Sequence, residues 1–308
     1  MKQDDAVAPV IAAMLVLAVI VTFFAVWNAT AIPSMKAQAE VSHLHEAEEG
    51  MLRFSSDISA AASSPSGMIL SEQVPLGGGD ILYSATKSGG VLEVQEDAHP
   101  YMRILLYNAS SSVLPVDDRT FVLSNISYQP TGNFWQDQGY VWSHGYVNVT
   151  RGQKEVPLEY YTMQDVQYNL AGALFNSGVG AYGNDPGTCS VVIIKGVNLV
   201  PAQTASSLSG NGIGALTLNS SIASDKFFNV TTMNVSIRWT GGNSPLTGFP
   251  RAMHDAANAS LANNLESSCT NIHFDPVRST PRTIALSIDP VPNVTVIRQT
   301  ADITIGTR

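Results

Sequence analysis

Apolar positions are arranged differently in successive parts of the chain. The first part is continuous: AVAPVIAAMLVLAVIVTFFAVW, residues 6–27, carries no charge and one hydroxyl, Thr22. At about 1.5 Å of rise per residue this run predicts a helix roughly 30 Å long, the thickness of a bilayer's hydrocarbon. Pro9 falls in its first turn, where backbone N–H groups have no partner to lose. Asp4 and Asp5 stand just before the run, where carboxylates complement a helix dipole. The apolar core is too long for a secretory signal, and Phe23, Phe24 and Trp27 occupy the end where a signal peptidase requires small residues. The segment therefore reads as a retained anchor that contacts membrane lipid or other helices.

The pattern then becomes amphipathic. Leu44, Ala47, Met51, Phe54 and Ile58 recur at spacings of three and four, which sets them on one helical face, with Glu46, Glu49, Arg53 and Asp57 opposite. Residues 28–64 are thus expected to form a helical stem. Pro33 is expected to kink or interrupt it, and Gly50 to weaken it by about 1 kcal/mol relative to alanine. His43, His45, Glu46, Glu48 and Glu49 crowd one stretch, but Glu49 stands where H-E-x-x-H needs its second histidine. They read as a solvated charged face and not as a metal site.

After Ser64-Pro65-Ser66-Gly67 the chain alternates with period two between turn signals such as GGGD, SGG and TGGNSP. Strands are expected at 68–74, 81–85, 91–95, 102–107, 121–128, 140–149, 156–161, 191–200, 215–218, 228–239, 283–288 and 294–305. Short helices are expected at 163–175 and at 250–265, where Met253, Ala257, Leu261 and Leu265 share a face. The fold class is α+β, mainly β: a long N-terminal helix followed by an antiparallel, sandwich-like domain over 65–308. The leader is 1–5, the apolar helix 6–27 and the stem 28–64.

Composition agrees with a β-rich body. Charged residues are only 13% of the 308, about half the usual share, and the net charge of −9 leaves no basic face for nucleic acid. Cys189 and Cys269 suffice for one disulfide, with two separate buried thiols as the alternative. Sequons at Asn108, Asn125, Asn148, Asn219, Asn229, Asn234, Asn258 and Asn293 offer N-glycosylation sites, and the one at Asn28 abuts the anchor.

The opening MKQDDAVAPVI resembles the start of archaeal type IV pilin-like proteins, in which a short polar leader meets a D-D-A-V-S-P-V-I-type motif; Ala8 stands here for the usual serine. The resemblance implies leader processing near Gln3, Asp4 and Asp5, and packing of the apolar helix in a filament or in the membrane. Residues 133–161, NFWQDQGYVWSHGYVNVTRGQKEVPLEYY, are similar to aromatic hairpins of archaeal pilin-like surface proteins. Aromatics this dense usually build core and cross-strand pairs. An exposed subset, Trp135, Tyr140, Trp142 and Tyr146, would instead contact a glycan or another cell-surface ligand.

Catalytic signatures are missing. Gly178 to Gly183 match G-x-G-x-x-G, but the run follows a helical pattern and precedes a strand, the reverse of a nucleotide site, so it reads as a loop. His99, His144, His254 and His273 are scattered, with Asp255 and Asp275 as the neighbouring carboxylates. Asp80, Asp117, Asp118 and Asp185 lack calcium-loop spacing and read as solvated turns. No cofactor or metal is expected, and no enzyme activity. The expected function is that of a structural subunit of a surface filament, assembling with itself or with other pilin-like chains through its N-terminal helix. The alternative is a membrane-anchored binding, adhesion or envelope protein that does not polymerise; a tethered extracellular enzyme is a weaker third reading.

Overall fold

The computed structural model describes residues 7–78, 88–98, 100–108, 114–132, 137–143, 145–152, 154–158, 179–182, 188–237, 269–275, 283–289 and 294–308. Helix α1, Val7–Ser63, runs for 57 residues, roughly 85 Å, and is followed by a mainly β domain. Pro33 does not interrupt it. A proline removes one backbone donor and costs about 3 kcal/mol in a helix interior, while long helical segments on both sides keep their own bonds. Within the apolar part, the hydroxyls of Thr22 and Thr30 bond back to Ala18 and Val26 carbonyls at 2.9 and 2.7 Å, so neither needs water.

The strands are β1 Ile69–Pro75, β2 Gly89–Glu96, β3 Met102–Asn108, β4 Asp117–Phe121, β5 Ser124–Thr131, β6 Gly139–Ser143, β7 Tyr146–Arg151, β8 Lys154–Pro157, β9 Val179–Tyr182, β10 Val191–Pro201, β11 Ser207–Gly210, β12 Ile213–Phe227, β13 Val230–Ile237, β14 Ile272–Phe274, β15 Thr283–Ile288 and β16 Thr295–Thr307. They form three sheets: β1-β12-β16-β10-β9, β11-β2-β5-β6-β7-β8, and β14-β15-β13-β3-β4. All described pairings are antiparallel except β10 with β16, which run parallel from Val191 opposite Thr295 to Pro201 opposite Ile305. That pair departs from the all-antiparallel expectation. Its apolar content is in keeping with this: VVIIKGVNLV is nearly continuous, as in strands buried on both faces, and it lies inside its sheet between β16 and β9.

The C-terminal run is a single strand, β16, inserted between β12 and β10. Its Val296, Ala301, Ile303 and Ile305 are fully buried. Predicted strand 121–128 is two strands, the end of β4 and most of β5, and 140–149 is the β6–β7 hairpin turning at Gly145, whose φ is 96°. Strand β12 spans 15 residues, far beyond the predicted 215–218, because its polar second half still pairs with β16 out to Phe227 opposite Val296. The expected strand at 81–85 and the short helices at 163–175 and 250–265 lie outside the described residues.

Strand β10 joins the sheets. The leading half pairs with β9, and the trailing half meets the β4–β5 connection: Leu199 N–H donates to the Val122 carbonyl at 2.9 Å, and Ser124 Oγ donates to the Leu199 carbonyl at 2.7 Å. Tyr101 Oη donates to the Val197 carbonyl at 2.9 Å, and burial pushes its phenol above the ordinary tyrosine range. Gly196 is required here, since a Cβ would lie 2.0 Å from the Phe121 ring.

Candidate functional site

Helix α1 divides into a bare part and a docked part. Every residue from Pro9 to Thr30 is exposed, with Leu15, Leu17, Val19, Phe23 and Trp27 each more than half accessible. By length and composition this part can cross a membrane. Apolar side chains exposed at this density on a helix mark a surface that meets lipid or protein. Asn28 and its sequon sit within the bare part.

The docked part begins at Glu40. Leu44, Ala47, Met51, Phe54, Ile58, Ala61 and Ala62 are buried, so the face read from the spacing is the one that meets the β domain. It packs against β1 and β12 on one side and β6 and β7 on the other. Gly50 lets β1 approach: a Cβ there would lie 2.8 Å from the Gln73 carbonyl oxygen. On the outer side Arg53 pairs loosely with Glu49 at 3.6 Å and Glu72 at 3.8 Å, and both links are solvent-exposed enough to contribute little.

Polar groups line the same junction. His43 was expected on a solvated face but is buried, its Nε2 2.7 Å from Tyr128 Oη, because the helix face at 40–44 turns toward β5. Tyr140 Oη donates to Glu48 Oε2 at 3.1 Å, and Trp142 Nε1 donates to Ser55 Oγ at 3.0 Å. Tyr128 and Tyr140 stack with centroids 6.5 Å apart, and burial raises both phenols. Lys195 on β10, also buried, donates to the Ser64 carbonyl at the end of α1.

Three of the aromatic residues expected to offer a surface contact are thereby accounted for. Tyr140, Trp142 and Tyr146 are each under 5% exposed, because alternate positions of β6 and β7 face the stem and the core. They are structural, and their exposure as a ligand platform is corrected. Trp135 lies outside the described residues, as do Gln3, Asp4 and Asp5 at the leader.

Cys189 and Cys269 form a disulfide with Cα atoms 5.3 Å apart. Asn271 reinforces it: its Oδ1 accepts from the Cys189 N–H at 2.9 Å and its Nδ2 donates to the Cys189 carbonyl at 2.8 Å. The link ties the start of β10 to the start of β14, and so joins two sheets. A second tie is Arg298 on β16, which bonds Asp117 of β4 and, at 2.5 Å, Asp225 of β12, and lies over the Phe227 ring at 5.4 Å. Asp118 is held below the usual carboxylate range by Arg103, which donates to both of its oxygens. The pair read as a solvated acidic turn is therefore a strand with each carboxylate matched by an arginine. Asp80 and Asp185 lie outside the described residues.

Residues 179–182 of the glycine-rich run form strand β9 rather than a loop. His273 is exposed and 3.4 Å from Asp289; His99, His144, His254 and Asp255 are outside the described residues. Among the described residues no three His, Cys, Asp or Glu side chains converge on a metal-sized site.

The sequons separate by environment. Asn148 is buried, with its amide donating to Glu155. Asn125 and Asn234 are half-buried with their side-chain oxygens enclosed, and Asn108 is half-buried at the end of β3. Asn219 and Asn229 are exposed, whereas Asn258 and Asn293 lie outside the described residues. Lys195, Arg298 and Asn271 escaped the sequence reading. The first two carried a signal, a lone cation inside an apolar strand, which requires a buried partner; Asn271 carried none.

Comparison with protein-family models, with curated protein sequences and with solved structures returns no match for this chain.

Proposed function

We propose that this protein is a structural, pilin-like subunit of a surface filament, assembled through residues 6–27 with its sandwich-like β domain facing outward. The observation that carries the reading is one uninterrupted helix whose first half is bare and apolar and whose second half is locked into the β domain. A helix that only anchored the chain would need no rigid continuation into the head. A continuous one transmits the position of the head to the packed helix, which a filament with a regular outer surface requires. The opening D-D-A-V-A-P-V-I run supports the same reading by resemblance.

Burial of Tyr140, Trp142 and Tyr146 weighs against the adhesin alternative, since these three offer no exposed aromatic surface. Shearing of cells followed by purification of the released filaments tests the proposal. The protein is expected in the filament fraction; its retention in the membrane fraction, with none in the filaments, contradicts the reading.

A further inference from the structure

Asn229 is the non-glycine residue with a left-handed backbone among those described, with φ of 55°. It occupies the tight connection between β12, which ends at Phe227, and β13, which begins at Val230. Asparagine tolerates this conformation better than other side chains with a Cβ, which accounts for its place in the turn. The turn does not need its carboxamide, however. The side chain is exposed and makes no hydrogen bond among the described residues, while Asn229-Val230-Thr231 is a complete sequon.

The surroundings point the same way. Phe228, next to the asparagine, is 66% exposed and makes no ring contact among the described residues. Large apolar side chains left open at a polar loop end are uncommon without a cover. The apolar C–H face of a sugar packs on an aromatic ring as other apolar groups do. Among the described residues of the β domain the other sequons lack this combination, Asn108 being half-buried at the end of β3. Asn148 is buried and already bonded, Asn125 and Asn234 have enclosed oxygens, and Asn219 is held mid-strand between β1 and β16.

We propose that Asn229 is an N-glycan acceptor whose first sugar covers the exposed apolar turn at Phe228. The donor class is a lipid-phosphate-linked oligosaccharide presented by a membrane oligosaccharyl transferase. The carboxamide nitrogen of Asn229 attacks the anomeric carbon; the N–C bond forms as the C–O bond to phosphate breaks. The lipid phosphate leaves with the electron pair, and the amide proton passes to a base of the transferase. The inference rests on the outward placement of the β domain proposed above.

Mass spectrometry of the native full-length protein from its own cells tests it, beside Asn229→Gly, which keeps the left-handed turn while removing the acceptor. A peptide containing Asn229 is expected to carry a saccharide adduct, and the intact mass is expected to fall by that adduct in Asn229→Gly. An unmodified Asn229, or a glycan on Asn148 in its stead, overturns the proposal. A membrane-impermeant amine reagent on intact cells separates the two readings through exposed Lys154. Labelled Lys154 with unmodified Asn229 overturns the glycan alone, whereas unlabelled Lys154 with unmodified Asn229 overturns the outward placement as well.

Discussion

The ammonium of Lys195 donates a 3.1 Å hydrogen bond to the carbonyl of Ser64, 131 residues earlier, just past the last turn of α1. A cation at this position fills the vacancy left by the helix's missing C-terminal donors and complements its dipole. Because β10 lies inside its sheet, the bond fixes the end of the stem to the interior of the head.

The same burial has a pH consequence. Lys195 has a pKa lowered by desolvation, so the folded chain gives up this proton before the unfolded chain does. Between the lowered value and 10.5 the unfolded state binds more protons, and this residue's contribution makes stability rise with pH. Tyr101, Tyr128 and Tyr140 act oppositely: their raised phenols hold protons that the unfolded chain loses above 10.0, so stability falls beyond that point. Urea midpoints measured across alkaline pH should show a gain that ends by 10.5 and a loss that sets in above 10.0, and Lys195→Met should abolish the gain while leaving the loss. An unchanged profile in Lys195→Met contradicts the assignment.

Gly50 offers a test of sign. In an isolated helix Gly→Ala is favourable by about 1 kcal/mol. In the protein the new Cβ meets the Gln73 carbonyl oxygen at 2.8 Å, and that oxygen belongs to the backbone of a paired strand. Overpacking of this kind costs about 1–3 kcal/mol, so Gly50→Ala should lower the stability of the whole protein while raising the helicity of a peptide covering 40–63. Thermal melts and circular dichroism measure the two; a stabilised protein would show that β1 can move aside.

Removal of the disulfide should be costly. Cys189 and Cys269 are 80 residues apart, and a closed loop of that length stabilises by roughly 4 kcal/mol on the chain-entropy model. The double Cys→Ser variant should unfold at markedly lower denaturant and lose all sensitivity to reductant. Equal midpoints with and without reductant in the wild-type chain would mean that the bridge contributes nothing.

Arg298 is about 8% exposed and faces Asp117, which is nearly as enclosed. Arg298→Met leaves that carboxylate buried without its cation, a change that costs about 3–5 kcal/mol. Arg298→Met combined with Asp117→Leu should recover most of the loss, because the uncompensated charge is gone. A double-mutant cycle in urea measures the coupling, and additive losses would assign the effect to packing alone.

The long helix and the mainly β body were legible because they rest on periodicity. The buried set Leu44, Ala47, Met51, Phe54 and Ile58 can be read from spacing alone, and β15 has the predicted bounds. The parallel β10–β16 pairing could not be read, since strand order depends on contacts a hundred residues apart. Aromatic density pointed to core and cross-strand roles for Tyr140 and Trp142 and left exposure as the alternative; their burial depends on which sheet face the stem covers. His43 was misplaced for the same reason: its neighbours are charged, but its helical face is not the one they share. Pro33 shows the limit of a local rule, since its cost is set against an entire helix.

The central claim is that the bare half of α1 packs against other helices. Leu15 and Leu17, both exposed, lie about 200° apart around the helix, at 3.6 residues per turn, and so face opposite directions. Oxidative cross-linking of the Leu15→Cys, Leu17→Cys double variant in intact cells measures the packing directly. A ladder of multimers well beyond dimers is the predicted result, and monomers with at most occasional dimers would contradict it.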